Sequence, residues 1–192
     1  MKSPPRPAVG FWTERKIALS QIILRLAEIQ DVPAIMEIMQ KAHAAMADPS
    51  AYILDDADYV SHYVQRDGFV LLALEDDIPV GFFMAAAPGL RENNLGRYLG
   101  FSEGELQKTL MMDSAAVLPQ AQGKGVMGMM FARAVELGME AYPYLVGTVA
   151  PGNFPSIRNF EKNGFTVRKT ITKPGGQVRL LMGKGELPVH KS

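Results

Sequence analysis

The run Gly123-Lys124-Gly125-Val126-Met127-Gly128 places three glycines in six residues, just after an apolar stretch and just before a periodic one. A glycine-rich turn that opens a helix leaves several backbone N–H groups without intrahelical acceptors, beside the positive end of the helix dipole. Such a turn suits a phosphate or pyrophosphate. Glycines can also serve only to let a helix and a strand pack closely, but Gly128 in the first turns costs ~1 kcal/mol relative to alanine, which favours anion binding over packing alone. The spelling G-x-G-x-x-G is formally a dinucleotide fingerprint, yet that site needs the turn in its first βα unit and an acidic residue about 20 positions on. Here the next strand-like run ends at Val149-Ala150-Pro151 without a carboxylate. A Walker A loop fails as well, because Leu118 and Pro119 stand where it needs glycine and Gly125 where it needs Ser or Thr.

A second pattern, Gly100-Phe101-Ser102-Glu103-Gly104, spells the G-x-S-x-G nucleophile elbow. The elbow must follow a buried strand, whereas 91–100 is polar. Ser102 with Glu105 is instead an S-x-x-E capping box, the start of a helix.

Other chemistries are excluded by composition. Twenty Lys+Arg balance 20 Asp+Glu, so the basic excess that draws a chain onto nucleic acid or an anionic membrane is missing. Cysteine is absent, which removes disulfides, thiol nucleophiles and Cys zinc sites, and the three histidines (His43, His62, His190) show no metal-ligand spacing. The N-terminal prolines carry no apolar run behind Lys2 and Arg6, and no stretch reaches the ~18 apolar residues of a membrane span. The expectation is a cytoplasmic protein with no metal, no membrane and no nucleic acid.

The elements that must hold the glycine turn follow from periodicity. A strand is expected at 22–27, then a helix opened by Asp31 and Pro33 and running to about Ala47, with Ile35, Ile38, Met39 and Ala42 at helical spacing. A second helix carries Tyr59, Val60, Tyr63 and Val64 and stops at Asp67-Gly68. Apolar runs 69–74 and 78–86 around Glu75-Asp76-Asp77 read as a hairpin. Residues 88–108 are polar with a short helix signal, and 110–118 is a strand. The helix after the glycines should bury Met127, Met130, Phe131, Ala134 and Val135. A strand at 145–149, a helix at 156–163 closed by Gly164, and a hairpin of 165–172 with 178–182 complete a mixed α/β domain with one parallel crossover. Residues 1–20 form an N-terminal arm, 21–185 the domain and 186–192 a tail.

Taken together, two blocks carry a resemblance to a known family. Ala116-Val117-Leu118-Pro119 followed by Gln122-Gly123-Lys124-Gly125-Val126 resembles the acetyl-CoA loop of the GNAT superfamily of N-acetyltransferases, [Q/R]-x-x-G-x-[G/A] after a V-x-P strand end. Asn153-Phe154-Pro155-Ser156 with Phe160-Glu161-Lys162-Asn163-Gly164-Phe165 resembles its second block, N-x-x-[A/S] leading into [Y/F]-x-x-x-G-F. The resemblance covers about residues 22–184. It implies a mixed, mostly antiparallel central sheet with helices on both faces, and acetyl-CoA as cosubstrate. The diphosphate would lie on the amides of Gln122, Gly123, Lys124, Gly125, Val126, Met127 and Gly128. The pantetheine would run along Ala116-Val117, with Asn153 and Ser156 hydrogen-bonding to the cofactor. Lys124 reads equally as a phosphate-side charge or as an exposed loop lysine. The tyrosines at 52, 59 and 63 and the 88–108 insertion occupy stretches that line the acceptor pocket in this family, and they read equally as core residues that identify no substrate. Two departures stand out. Met127 occupies the last loop position, where the family has Gly or Ala, and Phe160 replaces a tyrosine that many members carry as a general acid.

The implied reaction is acetyl transfer to a primary amine of a small molecule or peptide, by direct attack in a ternary complex. An amine of pKa ~10.4 costs roughly 4.6 kcal/mol to neutralise at pH 7, so a base is worth having. The resemblance points to Asp113, in the strand that leads to Val117. Strict alternation would put Asp113, Ala115 and Val117 on one face and Ser114 on the other. Asp113 can equally be a solvated carboxylate at a strand start, and His43 or His62 could replace it if the first two helices close over the site. A non-catalytic acyl-CoA sensor of the same fold is the rival reading. A homodimer is possible.

Overall fold

The computed structural model describes residues 21–46 and 54–188. The expected arm 1–20, Tyr52 and His190 lie outside that range. Strand β1 (Ile22–Leu26) is followed by helices α1 (Val32–Ala44) and α2 (Ala57–Gln65). Strands β2 (Gly68–Glu75) and β3 (Ile78–Ala86) come next, then helix α3 (Glu103–Leu106) and strand β4 (Thr109–Val117). Helix α4 (Val126–Ala141), strand β5 (Tyr144–Val149), helix α5 (Phe154–Lys162) and strands β6 (Phe165–Thr172) and β7 (Val178–Lys184) complete the chain.

Local chemistry explains most boundaries. Asp76 and Asp77 both take positive φ (50° and 66°), the type I′ geometry that matches the twist of a two-residue hairpin between β2 and β3. Asp56 caps α2 by accepting from the Tyr59 amide at 2.7 Å. At α3 the Glu105 carboxylate accepts from both the amide (2.7 Å) and the hydroxyl (2.8 Å) of Ser102, so that serine is a capping residue and not a nucleophile. Gly164 sits at φ +81° after α5, where a left-handed residue ends the helix.

The seven strands form one sheet in the order β1-β2-β3-β4-β5-β7-β6, antiparallel except for β4 and β5. One face is covered by α1 and α2, whose Ile35, Met39, Val60 and Tyr63 pack on Leu72, Phe82, Met84 and Met111. The other is covered by α4 and α5 through Met130, Phe131, Ala134 and Phe160, against Leu71, Phe83, Leu110 and Leu145. On α4 the buried stripe starts at Val126, with Met127 only half-buried. Positions 126, 130 and 134 lie four apart on one line of the helix, and Met127 is displaced to its edge.

Strands β4 and β5 pair only from Thr109–Met112 against Tyr144–Gly147. Beyond that point β4 runs on to Val117 paired with β3 alone, and β5 runs on to Val149 paired with β7 alone. The sheet therefore opens into a wedge. At its apex Gly147 has no room for a side chain: a Cβ there would meet the Phe160 ring at 2.7 Å and the Met112 carbonyl oxygen at 3.0 Å. Gly147→Ala should therefore cost about 1–3 kcal/mol in urea unfolding, as overpacking of a full core does. Adding Phe160→Leu should return part of that loss, and strictly additive effects would show that the two residues do not press on each other.

Candidate functional site

The chain between the wedge and α4 is held at both ends. The Leu118 amide donates to the Val80 carbonyl at 2.8 Å, and Gln122 Nε2 donates to the Val117 carbonyl at 3.2 Å. Gly123 and Gly125 both adopt φ +79°, and Gly125 is the N-cap of α4, with no side chain capping the helix. Alternating left-handed residues turn successive amides toward one side, the geometry of an anion nest. Among the described residues, no backbone carbonyl accepts from the amides of Gly123 through Gly128. A Cβ on Gly123 or Gly125 would meet nothing within 4 Å, so both are glycine for conformation and not for lack of space. At Gly128 the missing side chain faces Asn159 of α5, 3.7 Å away.

The remaining residues expected to hold a cofactor flank this loop. Lys124 Nζ pairs at 2.5 Å with Glu75, at the end of β2, which draws its charge to the hairpin and pins the loop. Asn153 is the N-cap of α5 and accepts from the Ser156 amide at 3.1 Å; its amide group stays on the surface. Ala116 and Val117 lie on the part of β4 that β5 has left. Phe160 is buried edge-on against Phe131 (4.8 Å between ring centres) and Phe165 (5.1 Å), a core residue with no proton to give.

Asp113 lies at the wedge, but its surroundings differ from the alternation rule. The β3–β4 register runs Met84 to Ser114 and then Ala85 to Met112, so Asp113 is the extra residue of a β-bulge. The bulge breaks the two-residue repeat. Ala115 and Val117 join the α4 side, while Asp113 accepts from the Tyr59 hydroxyl of α2 at 2.8 Å and Ser114 donates to Asp55. The expected grouping of Asp113 with Ala115 and Val117 is thereby overturned, whereas Ser114 does stand opposite those two and now shares its side with Asp113. Two polar residues in succession inside the apolar run 109–117 were the available signal for a bulge.

Asp55, in the loop before α2, was not singled out by any motif. Partial burial, then the charge of Asp113, push its carboxyl up to about 6, against the opposing pull of the Ser114 hydroxyl. Solvent touches Asp113, but dense protein around it weakens its hydration and raises its pKa despite the Tyr59 hydrogen bond and the charge of Lys173. Tyr59 is held as a neutral phenol by burial and by the same carboxylate.

A cavity of about 230 Å³ is lined by Tyr59, His62, Tyr63, Arg91 and Asn93. His62 does not reach toward Asp113: its Nε2 lies 2.8 Å from Asp67, which also accepts from Arg91 at 3.1 Å. His43 sits in the last turn of α1. Among the described residues no group of three metal-ligating side chains occurs, and no helix is long and apolar enough to cross a membrane.

Residues 21–166 match the acetyltransferase (GNAT) domain family. The chain belongs to the GNAT acetyltransferases. No curated protein matches the sequence, but its fold is shared by many solved GNAT structures. The ribosomal-protein-alanine N-acetyltransferase of Brucella melitensis superposes with a TM-score of 0.66 at 22% identity, over 84% of this chain and 98% of that one. The Salmonella typhimurium protein yncA, solved with its cofactor acetyl-CoA, gives 0.65 at 23% identity, over 90% and 98%. AAC(6')-Ib, in complex with paromomycin and acetyl-CoA, gives 0.63 at 19% identity, over 85% and 92%. The GNAT sheet with its single parallel β4–β5 pair is thus the architecture found here.

In this GNAT chain the carboxyl of Asp55 bears directly on stability. A carboxyl whose folded pKa lies above its unfolded value makes the native state bind the extra proton, so stability falls as pH rises from 3.8 to about 6 and stays lower above that window. Asp55→Asn removes this loss. Discounting for solvent screening, the variant should be more stable than its parent by about 1–2 kcal/mol at pH 7.5 and equal to it near pH 4, read by urea unfolding at both pH values. An equal difference at the two pH values would contradict the raised carboxyl.

Proposed function

We propose that the protein transfers an acetyl group from acetyl-CoA to a primary amine, by direct attack with both substrates bound. The observation that carries this reading is the coincidence of an open wedge between β4 and β5 with a run of acceptorless amides at Gly123–Gly128. Those amides, at the start of a 16-residue helix, suit a diphosphate. The freed edge of β4 at Ala116-Val117 offers main-chain groups for the amides of a pantetheine arm, and Asn153 and Ser156 stand at the N-terminus of α5 to add side-chain hydrogen bonds. Acetyl-CoA, when bound, supplies an acyl group activated as a thioester.

The rest is the work of the protein's own side chains. The face of β4 that carries Asp113 is the one covered by α2, so the amine approaches from the side of Tyr59 and Asp55. Tyr59 fixes the Asp113 carboxylate by donating to one of its oxygens and leaves the other free to accept. Asp113 takes a proton from the amine nitrogen, directly or through water, as the nitrogen bonds to the acyl carbon and the C–S bond breaks. A thiolate of pKa ~8.5 leaves without a strong acid, which suits a chain that carries Phe160 in the place of a tyrosine. The raised proton affinity of Asp113 brings it closer to that of the amine than an ordinary carboxylate would be.

Phe160 also favours the second reading, an acyl-CoA sensor without turnover. Free CoA release, followed with L-alaninamide, tyramine, putrescine and L-methionine as acceptors, weighs the two: acetyl-CoA binding with no amine-dependent thiol release would favour the sensor. Gly125→Glu meets no neighbouring atom but strains a left-handed position at a cost of about 1–2 kcal/mol, so it should fold with reduced stability and lose acetyl-CoA binding in calorimetry because a carboxylate enters the amide nest. Retained affinity would remove the loop from the site. Asp113→Asn should lower kcat by about 100-fold with little change in acetyl-CoA affinity, and wild-type turnover would remove Asp113 from the mechanism.

A further inference from the structure

The β-bulge in β4 turns two consecutive side chains, Asp113 and Ser114, toward α2. Each meets a partner from the same short segment. Tyr59 donates its hydroxyl to Asp113 at 2.8 Å, and the Ser114 hydroxyl donates to Asp55. Asp56, between Asp55 and α2, ties that segment to the helix by capping it through the Tyr59 amide at 2.7 Å. The Asp55 carboxylate is therefore bound to the strand residue next to Asp113, near enough for the Asp113 charge to act on it. We propose that Asp55 and Asp113 act as one carboxylate pair, which takes the acceptor's proton together, and that Ser114 positions Asp55 for it.

The proposal rests on the reading of Asp113 as the base and adds its partner. The charged and titratable groups around Asp55 are Asp56 on its own loop, Tyr59 on α2, Asp113 on β4 and Lys173 on the β6–β7 turn. Lys173 faces both carboxylates, so two negative charges meet one positive charge. With one proton bound the pair is balanced against Lys173; with none it carries an excess charge that favours taking a proton. An ammonium that docks there gives up one N–H proton to a carboxylate oxygen of the pair and keeps the electron pair that attacks the thioester; as the C–N bond forms and the C–S bond breaks, the second N–H proton goes to the departing thiolate, and the pair's proton returns to water after turnover. Two like charges this close do not ionise independently, so the upper step belongs to the pair, in keeping with the Asp55 carboxyl standing at about 6.

The test uses the full-length chain with 13C-labelled aspartate carboxyls, titrated by NMR, alongside the pH profile of kcat/KM for whichever of the four amines above turns over fastest. In the parent the Asp113 resonance should shift together with the Asp55 step, which stands near pH 6, and the acid limb of the rate profile should fall with that step. Asp55→Asn should move the Asp113 step and the acid limb down by about one pH unit and lower kcat/KM at pH 7 about tenfold, with Asp55→Glu restoring most of the rate. Ser114→Ala, a small change in a buried site, should move the Asp55 step in the opposite direction, upward, because it removes a donor to the ionised form. A merely structural role for Asp55 moves neither limb nor step. Separate, uncoupled titrations, or an acid limb unmoved in Asp55→Asn while Asp113→Asn is inactive, would overturn the pair and leave Asp113 as a single base. Wild-type turnover in Asp113→Asn would instead overturn the base reading on which the pair depends. If none of the four amines reacts, the titration alone decides.

Discussion

Parallel strands β4 and β5 exchange hydrogen bonds over their first halves and then part, and that separation sets the conditions for everything near the site. Backbone donors and acceptors cannot be left unpaired in a dry interior, so a sheet that opens in its middle must do so where water or a ligand can enter. The apex is fixed by volume. Phe160 fills the space that a side chain at Gly147 would need, and it is locked in turn by Phe131 and Phe165. On the far side of β4 the bulge at Asp113 begins at the same level, so the strand that opens the wedge also changes which way its polar side chains point. One departure from regular pairing thus exposes a main-chain edge on one side and turns a carboxylate toward α2 on the other.

The loop that follows extends the same logic. Its ends are tied to the sheet through Leu118, Gln122 and the Lys124–Glu75 pair, while the amides between are left without acceptors. Lys124, the residue whose charge seemed available for phosphate, spends it on holding the loop against β2. In the proposed site the attraction for an anion comes from main-chain dipoles whose direction is set by two left-handed glycines, and such dipoles need no reorganisation when a ligand arrives. Carboxylates near the wedge show the opposite balance. Asp55 and Asp113 are kept in surroundings that disfavour their charge, a cost to the folded state that is typical of groups retained for reactivity.

What was legible in the sequence is what depends on neighbours along the chain. Hydrophobic period, the Asp76-Asp77 turn, the Ser102–Glu105 cap and the glycines before α4 each carry their own local signal, and the order of strands and helices follows from them. The parallel crossover is legible for the same reason, since a glycine turn and a long amphipathic helix stand between two apolar runs. The bulge is different. It arises from the register of β3 against β4, which involves residues some thirty positions apart, and strict alternation gave the wrong face and the wrong companions for Asp113. Asp55 belongs to a loop without period or motif, and the partners of Lys124 and Tyr59 lie in strands distant in sequence. Charge pairing across a fold leaves no local mark.

The claim on which the account stands is that the amides of Gly123–Gly128 grip the diphosphate of acetyl-CoA. An acetyl-CoA titration of the 15N-labelled protein tests it most directly. Large downfield amide shifts confined to residues 122–128 and the edge at Ala116-Val117, saturating together, are the expected result. Saturable binding whose shifts lie elsewhere and leave those glycine amides in place would contradict it.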